Sequence, residues 1–460
     1  MSRLLPPRRS ATLAAGVVVL AGAALTLVGP ASAVPSAGAT TASAGPTPPG
    51  PALTITRSAT SLRSSTASAE SPATVVRRVS PTGNDAASGS VLAPWRTLAR
   101  ASRDPLPAGA LLVLDRGAAY QGTLSVSGSG TAARPIRIAP IGSGAAPVIE
   151  NGECLQLHGS YVDVSGLLVR NCAWAGVSVQ GAHQTVHGMR VTGNVAGVHV
   201  MPSATDARIV GNDIYDNRRL SPGKDGPNDD SGVNGVAVQG TRTVITGNRI
   251  SGHHAPSPDY GIEGSAVEVY GARDTTISGN SSIDNSTFVE LGDASTNATR
   301  IIRNTVTSVV PNGYFVVTRG AADSFGPVRG TVVNHNSVAM NGDGDGGLVC
   351  YAGCSPAIMS ASDNIIVARR SPTWTDGSGM GGRNNILVND SDPSTARRLF
   401  VDRRRDLRLV AASSAVDTAG VCRPVLIDQV PSPSLGASSR TCRDGNGDRR
   451  SGLDIGALER

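Results

Sequence analysis

The chain has 460 residues, of which 39% are hydrophobic but only 3% aromatic, and 55 are glycine, so a core built from it must be narrow, aliphatic and rich in turns. Its formal charge of +6 falls to +3 once Arg3, Arg8 and Arg9 are removed, and Lys224 is the single lysine. The remaining arginines are scattered and lack the aromatic interleaving of single-strand binders, which argues against a nucleic-acid partner.

In chain order, Arg3, Arg8 and Arg9 precede the apolar stretch Ala11 to Val28, and Ala31-Ser-Ala33 offers small residues for cleavage. Residues 1–33 therefore read as an export signal, with no membrane span expected after its removal. Residues 34–74 are Ser, Thr, Ala, Pro and Gly without periodicity, a linker expected to stay disordered. Residues 75–460 carry no break in composition and are expected to form one secreted, monomeric domain. It opens with turn chemistry at Thr82 to Gly89, followed by Trp95 and Leu98 on a short helix from about Thr97, suited to plugging the end of an apolar stack.

From about Asn171 to Asn385 a short unit recurs: a strand of the form Gly-Val-x-Val, a polar patch, an aliphatic run and an Asn turn. The strands are Ala175 to Gln180, Ala196 to Met201, Asn234 to Gln239, Ser265 to Tyr270, Thr287 to Gly292 and Gly347 to Cys350. The turns fall at Asn194, Asn212, Asn248, Asn280, Asn304, Asn336, Asn364 and Asn385. No amphipathic helix interrupts this region, so the pattern predicts an all-β solenoid, a right-handed parallel β-helix whose short strands stack coil on coil. Alternation sends Val177, Val179, Val198, Val200, Val236, Val238, Val267, Val269, Val289 and Leu291 inward. Asn suits the turn because it tolerates the left-handed conformation and its amide can bond the next coil.

Six cysteines in an exported chain imply disulfides. The expected set is Cys154 with Cys172 about one coil apart, Cys350 with Cys354, and Cys422 with Cys442, although six cysteines allow many other pairings. Cys350-x3-Cys354 lacks the second half of a zinc site. Asp444-x-Asn446-x-Asp448 and Asn341 to Asp345 read as tight turns or as sites for a structural calcium ion.

Three segments resemble a known family. Val79-Ser-Pro-Thr-Gly-Asn-Asp85 with Ala93-Pro-Trp-Arg-Thr-Leu98, the stretch from Pro107 to Gly122, and the closing Asp454-Ile-Gly-Ala-Leu-Glu459 are similar to the corresponding parts of secreted bacterial β-helix proteins of the pectate-lyase-like superfamily. The resemblance covers nearly all of the chain after residue 74. It implies the fold strongly and the substrate weakly, because this fold carries lyases, hydrolases, epimerases and non-catalytic spikes.

The candidate site lies in the outward columns. The middle outward positions align Ser178, His199, Ala237, Glu268, Glu290 and Val316, and the second column aligns Gln180, Met201, Gln239, Tyr270, Gly292 and Thr318, with Arg319 at the strand end. Glu268 and Glu290 are one coil apart, so their side chains should stand about 5 Å apart. Two carboxylates that close hold a cation, share a proton or meet an arginine. Insertions beside the same coils bring Lys224, Asp225, Asp229 and Asp230 in one loop and His253, His254, Asp259, Tyr260 and Glu263 in another. The expected catalytic set is Glu268, Glu290, Arg319, Tyr260, Lys224 and His253, with His199, Gln239, Tyr270, Glu263 and Asp259 binding substrate. Glu268, Glu290, Asp229 and Asp230 are the candidate calcium ligands. This set resembles the chondroitinase B and alginate lyase family, in which stacked glutamates bind calcium against the substrate carboxylate, a lysine takes the C5 proton and an arginine follows on a later coil. No lysine occupies the expected strand, and Lys224 would have to reach over from a loop. The expected function is a polysaccharide lyase acting on a uronate-containing polymer; the alternatives are a glycoside hydrolase using Glu268 and Glu290, and a non-catalytic glycan-binding solenoid.

Overall fold

The computed structural model describes residues 74–222, 226, 229–389, 399–402 and 406–409. The export signal, nearly all of the linker, Lys224, Asp225, Cys422, Cys442, Asp444 to Asp448 and the closing Asp454 to Glu459 lie outside the described residues. From Val76 onward each coil adds one strand to each of three parallel sheets, which hold 11, 10 and 11 strands among the described residues. One coil illustrates the path: Thr185–His187 in the first sheet, Arg190–Thr192 in the third and Ala196–Val200 in the second. Two short antiparallel hairpins stand apart, Ala255–Ser257 with Gly261–Glu263 and Phe400–Asp402 with Asp406–Leu409. No helix among the described residues is long and apolar enough to cross a membrane.

The second sheet shows why these residues stack. Val177, Val198, Val236, Val267, Val289 and Val316 pair in one unbroken register and are fully buried. The other inward residues expected from the alternation, Val179, Val200, Val238, Val269 and Leu291, are 0 to 1% exposed. Burying one such side chain contributes roughly 1.5 to 3 kcal/mol, and the column repeats the gain at every coil. The register corrects two positions: Val317, not Val316, stands beside Glu290, and Thr318 points inward with Val316. The second outward column therefore passes from Tyr270 and Gly292 to Arg319 and Tyr351.

The core is closed at its first coil as the sequence suggests. Trp95 is 1% exposed, and its indole N–H donates to the Ala87 carbonyl at 3.1 Å. Gly89 adopts φ +76°, and a Cβ there would lie 2.2 Å from the indole, so only glycine fits. The helix Leu98–Ala101 is capped by Thr97, whose hydroxyl accepts from the Arg100 N–H, while Asp85 accepts from the Thr97 hydroxyl and from the N–H groups of Arg96 and Thr97.

The asparagine turns resolve into two columns. Between the first and third sheets, Asn212, Asn248, Asn280, Asn304, Asn336, Asn364 and Asn385 form a ladder. From Asn248 onward each side-chain oxygen accepts from the backbone and side-chain N–H groups of the asparagine one coil earlier, and the Asn212 oxygen that starts the ladder accepts from the Met189 N–H. Their other N–H bonds reach backbone carbonyls such as Ile209 and Ile245. Between the third and second sheets a separate column runs Cys172, Asn194, Asn217, His253, Asn285. The left-handed residue is the one before each asparagine, not the asparagine itself: Gly193, Gly211, Gly247, Gly279, Arg303, His335, Asp363 and Asn384 all have φ between 54° and 73°. The second column ends at Cys172, where the disulfide to Cys154 ties the neighbouring coils; Cys350 and Cys354 are also bonded.

Candidate active site

Glu268 and Glu290 occupy paired positions on the adjacent strands Ser265–Tyr270 and Thr287–Gly292. Adjacent strands lie about 4.8 Å apart, so two carboxyl groups face the same side at one-rung spacing. Their environments differ. Glu268 accepts a hydrogen bond from the Asn234 side-chain amide at 2.7 Å, and burial, reinforced by the charge of Glu290, pushes its pKa up to about 8. Glu290 instead meets a cation: an Arg319 Nη lies 2.5 Å from its Oε1, and the Tyr270 hydroxyl donates to the same oxygen at 3.0 Å.

Arg319 is the hub of the cluster. Besides Glu290, its guanidinium donates to the hydroxyls of Tyr270 at 2.9 Å and Tyr351 at 2.8 Å and to the Leu291 carbonyl at 3.0 Å. It lies 5.7 to 5.9 Å from the ring centroids of Tyr270, Phe325 and Tyr351, within cation–π range, and its side chain is 11% exposed. The reach depends on Gly292. A Cβ at that position would stand 2.3 Å from the Tyr270 ring, so any other residue would push the phenol off Glu290 and Arg319. Burial beside Glu290 raises the Tyr270 hydroxyl far above the usual range, which leaves it a donor at any working pH.

The hairpin Ala255–Ser257 with Gly261–Glu263 supplies the flank of the site. Tyr260 at its turn is 52% exposed, and burial of its hydroxyl, then the charges of Glu263, Asp259 and Glu290, raises its pKa to about 12. Glu263 is pushed up to about 9 by burial and by Glu290, Glu268 and Asp230. Asp259 and Asp230 hold the hairpin to the preceding loop. One Asp259 oxygen accepts from the N–H groups of Asp229 and Asp230, and one Asp230 oxygen accepts from the Ser257 hydroxyl and the Asp259 N–H. Asp229, Asp230 and Asp259 offer carboxylate oxygens that lie within 4.8 Å of one another.

The remaining sequence candidates divide. His199 and Gln239 lie on the same sheet face, bonded to each other at 2.9 Å, two rungs and one rung before Glu268. His253 is 0% exposed and takes an asparagine's place in its ladder: Nδ1 faces the Asn285 side-chain oxygen at 2.7 Å, and Asn217 donates to Nε2. Burial lowers its pKa to about 4, so it is a neutral part of the frame, set in the ladder between the third and second sheets. Asn234, Tyr351 and Phe325 were not expected. Tyr351 was legible once Arg319 is placed in the second outward column; Asn234 and Phe325 left no signal, since one opens a strand and the other sits in a loop.

An all-parallel three-sheet solenoid with acids, an arginine and phenols on one outer sheet defines the class: the protein is a parallel β-helix with a polar cluster on that sheet. Residues 153–338 match the family model described as a right handed beta helix region, which agrees with the hand that parallel crossovers adopt. The protein is thus a right-handed parallel β-helix. Among solved structures it is similar to pectate lyase Pel9A, with 17% identity, TM-score 0.56, and coverage of 84% of this chain and 97% of that one. Similarity is lower to the GH136 lacto-N-biosidase from Eubacterium ramulus, at 14% identity, TM-score 0.48 and 68% of each chain. It is lower again to the alginate lyase from Paenibacillus sp. str. FPU-7, at 16% identity, TM-score 0.40, 68% of this chain and 99% of that one. No curated protein sequence matches the chain.

Proposed function

We propose that the protein is an exported glycoside hydrolase that binds an extended polysaccharide along its second sheet, with Glu268 as general acid and Glu290 as nucleophile. The observation that carries this reading is the contrast within the carboxyl pair: Glu268 keeps its proton through neutral pH while Glu290 is ion-paired with Arg319. In the first step Glu268 gives its proton to the glycosidic oxygen as the Glu290 carboxylate attacks the anomeric carbon. The C–O bond to the leaving sugar breaks and a glycosyl ester forms. Glu268, now ionised, then takes a proton from a water molecule that attacks the same carbon and frees Glu290. One-rung spacing of the two backbone positions is compatible with this double displacement, with retention, and direct attack by water would need the carboxyl groups roughly 6.5 to 9.5 Å apart. Asn234 positions Glu268, and Tyr270 and Arg319 position Glu290.

Calcium on Glu268 and Glu290, the arrangement of the lyase reading, is disfavoured because the Arg319 guanidinium already stands against Glu290. The donors that fit a hard cation are Asp229, Asp230 and Asp259, where Asp229 Oδ1 is buried without a partner. An ion there would brace two loops and take no part in bond breaking. A lyase reading keeps one supporting observation: Glu263 and Glu268, both protonated, could donate to a uronate carboxylate. The product separates the two. Hydrolysis gives new reducing ends without ultraviolet absorbance, whereas elimination gives an absorbing unsaturated end. Glu268→Gln should lower hydrolysis by about 100- to 10,000-fold on natural polymers. Full activity in that variant, or an unsaturated product from the parent protein, would overturn the proposal.

A further inference from the structure

On the same sheet as the carboxyl pair, toward the N-terminal coils, lies a depression of about 320 Å³ lined by Glu153, Gln156, Trp174, Ser178, Gln180 and His199 among others. Trp174 is partly exposed and rests on a floor of small side chains, Ala175, Ala196 and Ala237. The His199 ring packs against it with centroids 4.7 Å apart, and the Gln239 amide holds the other edge of that imidazole. Gln180 donates to Gln156 at 2.9 Å and to Ser178 at 3.2 Å, so a row of amides and a hydroxyl borders the indole. An apolar flat face ringed by uncharged groups that both donate and accept matches a sugar ring, whose axial C–H face is apolar and whose rim is hydroxyl.

The charges narrow the class. Glu153 is the only formally charged residue of this lining, and burial lowers the His199 pKa, so that ring is neutral. Arg219, on the adjoining loop, is turned to the carbonyls of Cys172 and Ala173. Among the described residues, a uronate carboxylate at this spot would find a like charge and no free cation. Ser178 pairs with His199, His199 with Ala237 and Ala237 with Glu268, three rungs in all. At about 4.8 Å per rung this is about 14 Å, a distance an extended glycan crosses in a few residues.

We infer that this depression is a distal subsite which stacks one uncharged pyranose of the polymer on Trp174, a few sugars away from the bond cleaved between Glu268 and Glu290. The inference deepens the hydrolase reading by assigning the substrate a neutral residue at that distance, and it rests on that reading only for the identity of the cleaved bond.

Affinity electrophoresis in gels containing arabinoxylan, galactomannan or xyloglucan, compared with polygalacturonate and alginate, tests it. The parent protein should be retarded by at least one neutral polymer, Trp174→Ala should bind it about tenfold more weakly, and Trp174→Phe should recover part of the loss. Glu290→Gln, which removes cleavage, should be retarded like the parent. Retardation by polyuronates alone, retardation unchanged in Trp174→Ala, or no retardation in any gel would overturn the subsite. If Trp174-dependent retardation is found but no polymer is cleaved, the subsite stands and the hydrolase reading falls.

Discussion

Two stacks of like residues run along this solenoid, and they behave in opposite ways. The turn column from Asn212 to Asn385 places an amide above an amide, and because each amide both donates and accepts, every member satisfies its neighbour. The outward column places Glu268 above Glu290, and two carboxylates offer only acceptors. That pair persists because the surroundings change its members: Glu268 and Glu263 hold protons, and Glu290 meets Arg319. A self-complementary stack is what stability alone would select. A stack that has to be rescued by a buried arginine points to chemistry.

The largest effect should come from breaking the self-complementary stack. Asn280→Asp keeps an acceptor for the Asn248 N–H groups but removes the donors to Ile245 and Asn304, and it introduces a charge at a site 1% exposed. Unfolding by urea should show a loss of roughly 4 kcal/mol, from a missing donor plus an unpaired charge. A loss under about 1 kcal/mol would mean that the ladder is incidental to stability.

Next in size is removal of the rescue. Arg319→Leu leaves Glu290 beside Glu263 and Glu268 with no cation and takes from the Tyr351 hydroxyl its guanidinium partner, while Tyr270 keeps its bond to Glu290, so it should destabilise by about 3 kcal/mol. Adding Glu290→Gln to that variant should return most of the loss, since the uncompensated charge disappears. If the double variant is no more stable than Arg319→Leu, the arginine acts through packing on Tyr270, Phe325 and Tyr351 instead.

A smaller effect, of opposite sign, is expected at Glu268. Its folded pKa of about 8 lies above the usual glutamate value of 4.5, so the unfolded chain gives up this proton more readily than the folded one. Its contribution is complete below about pH 4.5 and is lost as pH rises toward 8. Glu268→Gln should therefore raise Tm near pH 8 by a few degrees and leave it unchanged near pH 4, while cleavage falls at both. A Tm gain of equal size at both pH values would show that the proton is not the cause.

How much of this was legible follows the same division. The inward valines and the pairing of Glu268 with Glu290 could be read because Gly-Val-x-Val fixes the phase of a strand. The phase slipped at Val316-Val317, where two adjacent valines carry no alternation and Phe315 stands in the usual glycine place. That one-residue slip moved Thr318 outward and hid Tyr351, the partner that orients Arg319. The asparagine turns, named in the sequence without a place on the coil, divide into two columns, because a linear repeat does not reveal which corner of the coil a turn occupies. The carboxyl protonation, the Arg319 hub and the Trp174 depression depend on burial and on contacts between distant coils, which no local pattern encodes.

The smallest effect should be at His253, where the two stacks can be compared directly. A histidine in a polar loop reads as a proton carrier, yet Gly252-His253 repeats the left-handed glycine and ladder residue seen at Gly193-Asn194 and Gly247-Asn248. Its ring bridges Asn217 and Asn285 as an asparagine would. Because its folded pKa of about 4 lies below the usual value, the folded state disfavours the proton, so acid should weaken this rung as pH falls from about 6.5 toward 4. His253→Asn should restore an amide to the column, leave cleavage within about twofold, and change Tm little at neutral pH, with a gain appearing only near pH 5 as the titrating ring is replaced by a group that cannot protonate. A loss of cleavage of two orders of magnitude with Tm unchanged would return His253 to the catalytic set and break the distinction between frame and site.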